Sequence, residues 1–146
     1  MPSIDARDIR NVVLLSHSGA GKTSLSEALL FNSNVITRQG TIEDGNTVSD
    51  YEPEEVKRGG SIQTTLIAYV CDESKINFLD TPGYEDFIGE MVSAAKVVES
   101  AAILVTAQSG VDVGTERAWD LSNANGRPPD PCVLGFGNRV HKIGIY

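Results

Sequence analysis

The chain has 146 residues, of which 40% are hydrophobic and 22% are charged, and its formal net charge is −8. That length suits one domain with its own core, and the acidic balance excludes non-specific attraction to nucleic acid or to an anionic membrane. No apolar run approaches the roughly 20 residues that span a bilayer, and the two cysteines lack the spacing of a metal site. We therefore expect a cytoplasmic protein, or a piece of one, that binds neither membrane nor DNA.

The first predicted elements are a strand from Ile9 to Ser16 and a helix over residues 21–31. The strand is short and continuously apolar, which is typical of a strand covered on both faces. In the helix, "GKTSLSEALLF", the apolar residues recur at helical spacing. The predicted inward stripe of this helix consists of Leu25, Ala28, Leu29 and Leu30.

A polar segment rich in Gly and Asp follows, from Asn32 to Gly60, and it has no clear periodicity. A loop that long inside a compact domain is usually functional or disordered. Residues Ser61 to Val70 are β-branched and predict a strand. A second strand, "INFLD" at residues 76–80, follows after a short charged connection, which predicts a hairpin.

Helices and strands alternate in the rest of the chain. We predict helices over residues 85–100 and 114–126, and strands over residues 101–107 and 132–137. Trp119, in the second of these helices, is predicted to lie in the core. The alternation predicts a three-layer α/β domain on a mostly parallel sheet, with the hairpin supplying one antiparallel edge strand.

The stretch "SHSGAGKT", Ser16 to Thr23, follows a predicted strand and opens a predicted helix. In that context a phosphate loop is credible, because glycines let backbone N–H groups surround an anion and the helix N-terminus adds partial positive charge. Lys22 supplies a charge for the outer phosphates, and Thr23 offers a hydroxyl to a magnesium ion. The predicted nucleotide-binding residues here are Ser16, His17, Ser18, Gly19, Ala20, Gly21, Lys22, Thr23 and Ser24. Ser16 stands where the motif prefers glycine. The alternative is a Gly-rich turn without a ligand. We assign no catalytic role to His17.

A second candidate site lies in "INFLDTPGY". The strand delivers Asp80 to the edge where ligands of α/β sheets bind, and this carboxylate could hold magnesium through water. Gly83 can bring its backbone N–H close to a terminal phosphate. "DTPG" alone indicates an Asx-type turn, but about 60 residues after a phosphate loop it indicates a nucleotide site.

Three segments together resemble the G domain of translation elongation factor G, and resemble its elongation-factor-G-like paralogues more closely still. They are "SDYEPEEVKRGGSIQTTL", "INFLDTPGYEDFIGEM" and "VDVGTERAWDL". The resemblance runs from about Ile9 to Pro128 and fades over residues 129–146. It implies that residues 1–146 are part of a phosphate-loop NTPase domain, cut short before its last guanine-binding loop. It also implies GTP or GDP as ligand, Mg²⁺ as cofactor and the ribosome as partner of the full-length factor.

The resemblance gives the long polar segment a role as the family's first switch, a segment that is ordered by the nucleotide and released on hydrolysis. Ser61, in "RGGSI", takes the place of a threonine whose hydroxyl contacts magnesium and the terminal phosphate. The implied metal ligands are thus Thr23, Ser61 and Asp80. The acidic run around "YEPEEVK" is expected to be a solvated face, unless its basic end approaches the phosphates.

Tyr84 departs from the family, whose second switch usually has a histidine that positions the attacking water. Tyrosine can hydrogen-bond water but is neutral near pH 7. The implied catalytic residues are Tyr84 and Lys22, and the alternative is that Tyr84 is a packing aromatic. We therefore expect the intact protein to hydrolyse GTP and this chain alone to hydrolyse it weakly or not at all. The rival hypothesis is a nucleotide-binding or interaction module without turnover.

The base-recognition motif of the family, Asn-Lys-x-Asp, is also altered. Asn138 and Arg139 align with its first two residues, and His141 stands where the aspartate selects guanine. Because histidine cannot offer a bidentate carboxylate, poor selectivity for guanine over adenine is expected. An ATPase or small-molecule kinase built on the same loop is a third hypothesis, against which "RGGSIQTT" and "VGTERAW" argue.

Overall fold

A computed structural model describes residues 4–125 and 129–134, which form one sheet flanked by helices. The strands are β1 (Ile9–Leu15), β2 (Thr65–Cys71), β3 (Ser74–Asp80), β4 (Ser100–Thr106) and β5 (Pro129–Leu134). The helices are α1 (Lys22–Asn32), α2 (Pro53–Arg58), α3 (Ile88–Lys96) and α4 (Val113–Ala124), with 3-10 turns at Ala6–Asp8 and Glu85–Phe87. No helix in these residues is long and apolar enough to cross a membrane.

The sheet has the strand order β2-β3-β1-β4-β5. Strand β1 runs parallel to both β3 and β4, β4 runs parallel to β5, and β2 pairs antiparallel with β3 from Thr65↔Asp80 to Cys71↔Ser74. The predicted α/β class, hairpin and antiparallel edge strand are confirmed. In the sheet, β1 has β3 on one side and β4 on the other. The connections that follow β1 and β3 therefore diverge, and a crevice opens at the carboxyl end of β1, where ligands of such sheets bind.

Alternate residues of the central strands serve two separate cores. Val13 and Leu15 pack on the face covered by α3 and α4, together with Met91 and Ala118. Leu14 points to the opposite face, which α1 covers. Successive side chains of a strand point to opposite faces, and both faces of this sheet are covered by helices. The strands β1 and β4 therefore have continuous apolar runs rather than alternating ones.

Several local predictions need correction. The helix α2 lies inside the segment predicted to be irregular; a capping box at Glu52 and Glu55 and a proline at its start define it, and Gly59 ends it in a left-handed conformation. Trp119 is 44% exposed, so the prediction that it lies in the core is wrong. Strand β5 begins three residues earlier than predicted, where its edge position tolerates prolines.

The predicted inward stripe of α1 is only partly correct. Leu30 is buried, whereas the other three apolar residues of the stripe are partly exposed. Ser26 and Glu27 are buried instead. Both are hydrogen-bonded, Ser26 to a carboxylate and Glu27 to backbone N–H groups, which is the condition under which polar groups are buried at low cost.

Candidate functional site

The loop of residues 16–21 joins the carboxyl end of β1 to the first turn of α1. Gly19 and Gly21 have φ of 80° and 92°, a left-handed conformation that favours glycine. No side chain caps the start of α1, so the backbone N–H groups of its first turn face the crevice without an intrahelical acceptor. This is the arrangement that binds anions at helix N-termini.

Lys22 is buried beneath this loop. Its Nζ donates to the Ser16 carbonyl at 3.2 Å, to Ser16 Oγ at 3.0 Å and to the His17 carbonyl at 3.0 Å. Burial lowers the pKa of Lys22 to about 8, against the opposing effect of Asp80 and Asp50. The ammonium group is therefore held at the loop by neutral oxygens, where an anion would stabilise its charged form.

Gly83 allows the loop after β3 to press against the loop of residues 16–21. A Cβ at this position would lie 2.5 Å from Ser18 N and 2.6 Å from the carbonyl carbon of His17. Only glycine permits that approach, and it brings the backbone of Gly83 to the rim of the cavity formed with Lys22 and Thr23.

Several oxygen-bearing side chains lie beside the start of α1. Thr23 Oγ1 and Ser61 Oγ are 3.4 Å apart, and the Ser61 hydroxyl donates to Asp50 Oδ1 at 2.6 Å. Asp80 Oδ2 accepts from Ser26 Oγ at 3.1 Å. Asp80 Oδ1 and Asp50 Oδ2 are buried and have no hydrogen-bond partner among the described residues. Ser49 is near enough to lower the pKa of Asp80 but does not reach hydrogen-bond geometry.

The pKa values of both aspartates report this burial. Removal from water raises the pKa of Asp80 and of Asp50, partly offset by Lys22 in each case. Buried carboxylate oxygens without a donor are costly, and a cation bound beside them removes that cost. The two orphan oxygens therefore mark a place for a cation.

A magnesium ion fits this set of donors. Mg²⁺ prefers oxygen ligands, and two neighbouring ligands of an octahedral ion at about 2.0–2.1 Å lie about 2.9 Å apart, so the Thr23 and Ser61 hydroxyls need to move only slightly. The described residues contain no group of three or more His, Cys, Asp or Glu side chains that could hold a metal.

The family of the elongation factor Tu GTP binding domain matches residues 7–134. The chain belongs to that family. Among curated relatives, the mitochondrial ribosome-releasing factor 2 of Candida albicans is 36% identical over 97% of this chain and 18% of the relative. The elongation factor G-like protein of Mycobacterium tuberculosis is 38% identical over 82% of this chain and 17% of the relative.

Solved structures share the fold of this chain. A crystal structure from Thermus thermophilus matches with a TM-score of 0.84 and 39% identity, over 86% of this chain and 19% of that one. Translation elongation factor SelB of Methanococcus maripaludis, in complex with the GTP analogue GppNHp, has the same fold with a TM-score of 0.63 and 22% identity, over 85% of this chain and 21% of that one. The resemblance to elongation factor G is confirmed. This GTP binding domain spans less than a fifth of the curated relatives it matches.

The α1–β2 segment, residues 33–64, covers the site of this GTP binding domain from one side. Buried carboxylates bind its backbone: Glu27 accepts from the N–H of Gly40 and Val48, and Glu55 accepts from Ile62 and Gln63. Sequence reasoning missed these roles, and it missed Asp50, because a single acidic residue in a polar segment looks the same whether it is solvated or buried.

The predicted site residues divide into three groups. The structure brings Lys22, Thr23, Ser61, Asp80, Gly83 and the loop residues Ser16 to Gly21 together at one edge of the sheet, and Tyr84 joins them at the rim. Ser24, on the outer side of α1, is exposed. Asn138, Arg139 and His141 lie outside the described residues.

His17 is fixed on the side of the loop that faces α4. A Cβ at Gly114 would lie 2.7 Å from His17 Cβ, so the two segments touch. His17 Nδ1 is 2.8 Å from Asp112 Oδ2, although without the alignment of a hydrogen bond. The backbone N–H of Thr115 is the main cause of the lowered pKa of Asp112, which caps α4. His17 thus has a structural neighbour that accounts for its position.

Proposed function

We propose that this chain binds GTP and GDP with Mg²⁺ and that it is part of the GTP-hydrolysing domain of an elongation-factor-G-like translation factor. The observation that carries the proposal is the meeting of an uncapped helix N-terminus, a buried lysine and two orphan carboxylate oxygens at one edge of the sheet. An anion and a cation together satisfy all of these groups, and a nucleoside triphosphate with magnesium supplies both.

In this proposal the loop of residues 16–21 binds the phosphates through its backbone N–H groups. Lys22 exchanges its carbonyl partners for phosphate oxygens, and the N–H of Gly83 approaches the terminal phosphate. Thr23 and Ser61 would hold the metal directly and Asp80 through water, and the ion would supply positive charge beside the phosphates. Lys22 and the backbone N–H groups stabilise the charge that develops on the transferred phosphoryl group from the protein side.

Tyr84 is the residue proposed to orient the attacking water. It lines the small cavity above the phosphate-binding loop together with Lys22 and Ser61. A neutral tyrosine can donate and accept a hydrogen bond but does not take up a proton at neutral pH. We therefore expect slow hydrolysis that depends on positioning rather than on a general base.

The partner of the full-length factor is proposed to be the ribosome, as the names of the relatives suggest. The α1–β2 segment would then act as the first switch, ordered by nucleotide and released on hydrolysis. The relatives include proteins named as mitochondrial as well as a bacterial one. We therefore propose two possible locations, the mitochondrion and the cytoplasm.

The test is to measure binding of GTP, GDP and ATP by calorimetry, and GTP hydrolysis with and without ribosomes, in magnesium and in chelator. We expect binding of GTP that weakens in chelator and hydrolysis that ribosomes accelerate. Binding with no hydrolysis under any condition would favour the module without turnover. Failure to bind any nucleotide would overturn the proposal.

A further inference from the structure

Arg58 joins the α1–β2 segment to the loop after β3. Its guanidinium carbon is 4.7 Å from the centre of the Tyr84 ring and 5.2 Å from the centre of the Phe87 ring, both within the roughly 6 Å range of cation–π attraction. Its Nη2 is also 3.8 Å from Asp86 Oδ2, an exposed ion pair that contributes little. One side chain at the end of α2 thus contacts three residues of the other segment.

Gly60 leaves room for the edge of the same ring. A Cβ at Gly60 would lie 3.1 Å from Tyr84 Cε2 and 3.4 Å from Tyr84 Oη. Gly59, next to it, has a φ of 68° and ends α2, whereas Gly60 is not in the left-handed region. The constraint at Gly60 is therefore space for the Tyr84 ring rather than backbone conformation.

Tyr84 borders two cavities. It lines the small cavity above the loop of residues 16–21, called the phosphate cavity below. It also lines a cavity of about 140 Å³ with Ile88, Met91 and Arg117, next to the turn at Glu85–Phe87. Contacts that hold the ring therefore bear on which of the two cavities the side chain faces.

We propose that Arg58 and Gly60 are positioning residues that hold Tyr84 at the phosphate cavity. The guanidinium covers the ring face, and the bare backbone at Gly60 accommodates the ring edge. This inference rests on the proposed function, in which Tyr84 orients water. It adds that Tyr84 is in place only while the α1–β2 segment is closed, because both positioning residues belong to that segment.

The kinetic test uses the 146-residue chain, with single-turnover GTP hydrolysis and calorimetric GTP affinity measured side by side. We expect Arg58→Ala to slow hydrolysis at least fivefold while the affinity changes less than twofold. Arg58→Lys keeps the cation and should recover part of the rate, and Arg38→Ala, an exposed arginine of the same segment, should change neither quantity. Gly60→Val should slow hydrolysis as well. In a Tyr84→Ala background, Arg58→Ala and Gly60→Val should not slow hydrolysis further. If they slow it as much there as in the parent chain, the proposal is overturned.

A second measurement does not depend on turnover. The chain has four tyrosines, so incorporation of 3-fluorotyrosine gives four ¹⁹F resonances, and Tyr84→Phe identifies the relevant one. We expect Arg58→Ala and Gly60→Val to shift that resonance, and Arg38→Ala to leave it unchanged. A Tyr84 resonance that ignores both changes would overturn the proposal even if hydrolysis is normal. If the parent chain binds no GTP, the proposed function fails, and this measurement still decides whether Arg58 and Gly60 hold the ring.

Discussion

The phosphate-binding loop and the α1–β2 segment lie beside each other at the carboxyl end of the sheet, but they are held by different kinds of interaction. The loop is fixed by its own chain: β1 precedes it, α1 follows it, and Gly19 and Gly21 take the conformations that it needs. The α1–β2 segment is fixed by carboxylates from elsewhere, chiefly Glu27 on α1 and Glu90 on α3, which accept hydrogen bonds from its backbone.

This difference predicts which of the two regions opens more easily. A loop between a buried strand and a helix cannot open without disturbing the sheet core. A segment attached through a few side-chain-to-backbone hydrogen bonds can be released without unfolding the domain, since such regions belong to the low-stability end of a protein. Changes in the loop should therefore alter nucleotide affinity, whereas changes in the α1–β2 segment should alter the hydrogen exchange of its amides.

The largest effect is expected from Lys22→Ala, which removes the cation of the loop. A charge-assisted hydrogen bond contributes about 1.5–3 kcal/mol, so GTP affinity should fall at least tenfold and up to about a hundredfold. Calorimetry measures this, with the exposed Lys96 changed to alanine as the matched control. Equal affinities for Lys22→Ala and the parent chain would show that the loop is not a phosphate site.

Glu27→Ala should loosen the other region. It removes the acceptor of the Gly40 and Val48 N–H groups, and each lost bond to a charged group costs about 1.5–3 kcal/mol. We expect hydrogen exchange at these two amides to accelerate at least tenfold. The amide of Leu25, which donates to Gly21 within the first turn of α1, serves as an internal control. If Leu25 accelerates equally, the two regions open together and the comparison is wrong.

Asp80→Asn tests the metal site at the end of β3. In magnesium, loss of the carboxylate charge should weaken GTP binding about tenfold, since a charge-assisted contact to metal-bound water is lost. In chelator, the affinity of the variant and of the parent should be similar. Asp120→Asn, an exposed change on α4, controls for net charge. A loss of the same size in both conditions would mean that Asp80 has a structural role only.

The pKa of Lys22 predicts a pH dependence. In the nucleotide-free chain this pKa is about 8, and phosphate binds the protonated form, so affinity should fall about tenfold between pH 7 and pH 9. The stability of the nucleotide-free chain changes in the opposite direction. The folded pKa lies below the unfolded value of about 10.4, so unfolding free energy should rise as pH increases from about 8 to 10.4. Lys22→Ala should abolish both trends, and a pH-independent affinity in the parent would contradict the first.

The smallest effect concerns the base. The resemblance aligns His141 with the aspartate that selects guanine in the family. If that alignment holds, we expect a preference for GTP over ATP below about tenfold, or 1.4 kcal/mol. His141→Asp should increase that preference without changing the affinity for inorganic pyrophosphate. Competition binding with both nucleotides measures it. A hundredfold preference in the parent chain would show that guanine is recognised by other residues.

The sequence predicted most of the fold because its patterns are local. Continuous apolar strands, a hairpin and helices between them follow from periodicity, and the carboxyl end of a parallel sheet is where such strands deliver their polar residues. The two main errors have different causes. Trp119 was assigned to the core from residue type, although the exposed face of α4 holds it. The helix α2 was missed because six residues are too few to show a period.

The sequence by itself determined the loop between β1 and α1, since its glycines, its lysine and the flanking strand and helix are consecutive in the chain. It also pointed to Asp80, and through a resemblance to Ser61, as residues near that loop; their role towards a metal stays a prediction. Tertiary structure alone decided that Asp50 faces the same site, that Glu27 and Glu55 hold the α1–β2 segment, and that Arg58 stacks on Tyr84. These contacts join residues that are distant in the chain or lie in aperiodic segments. Whether a charged side chain in such a segment is solvated or buried depends on which backbone N–H groups the fold leaves without partners. The local sequence pattern contains no information about those groups.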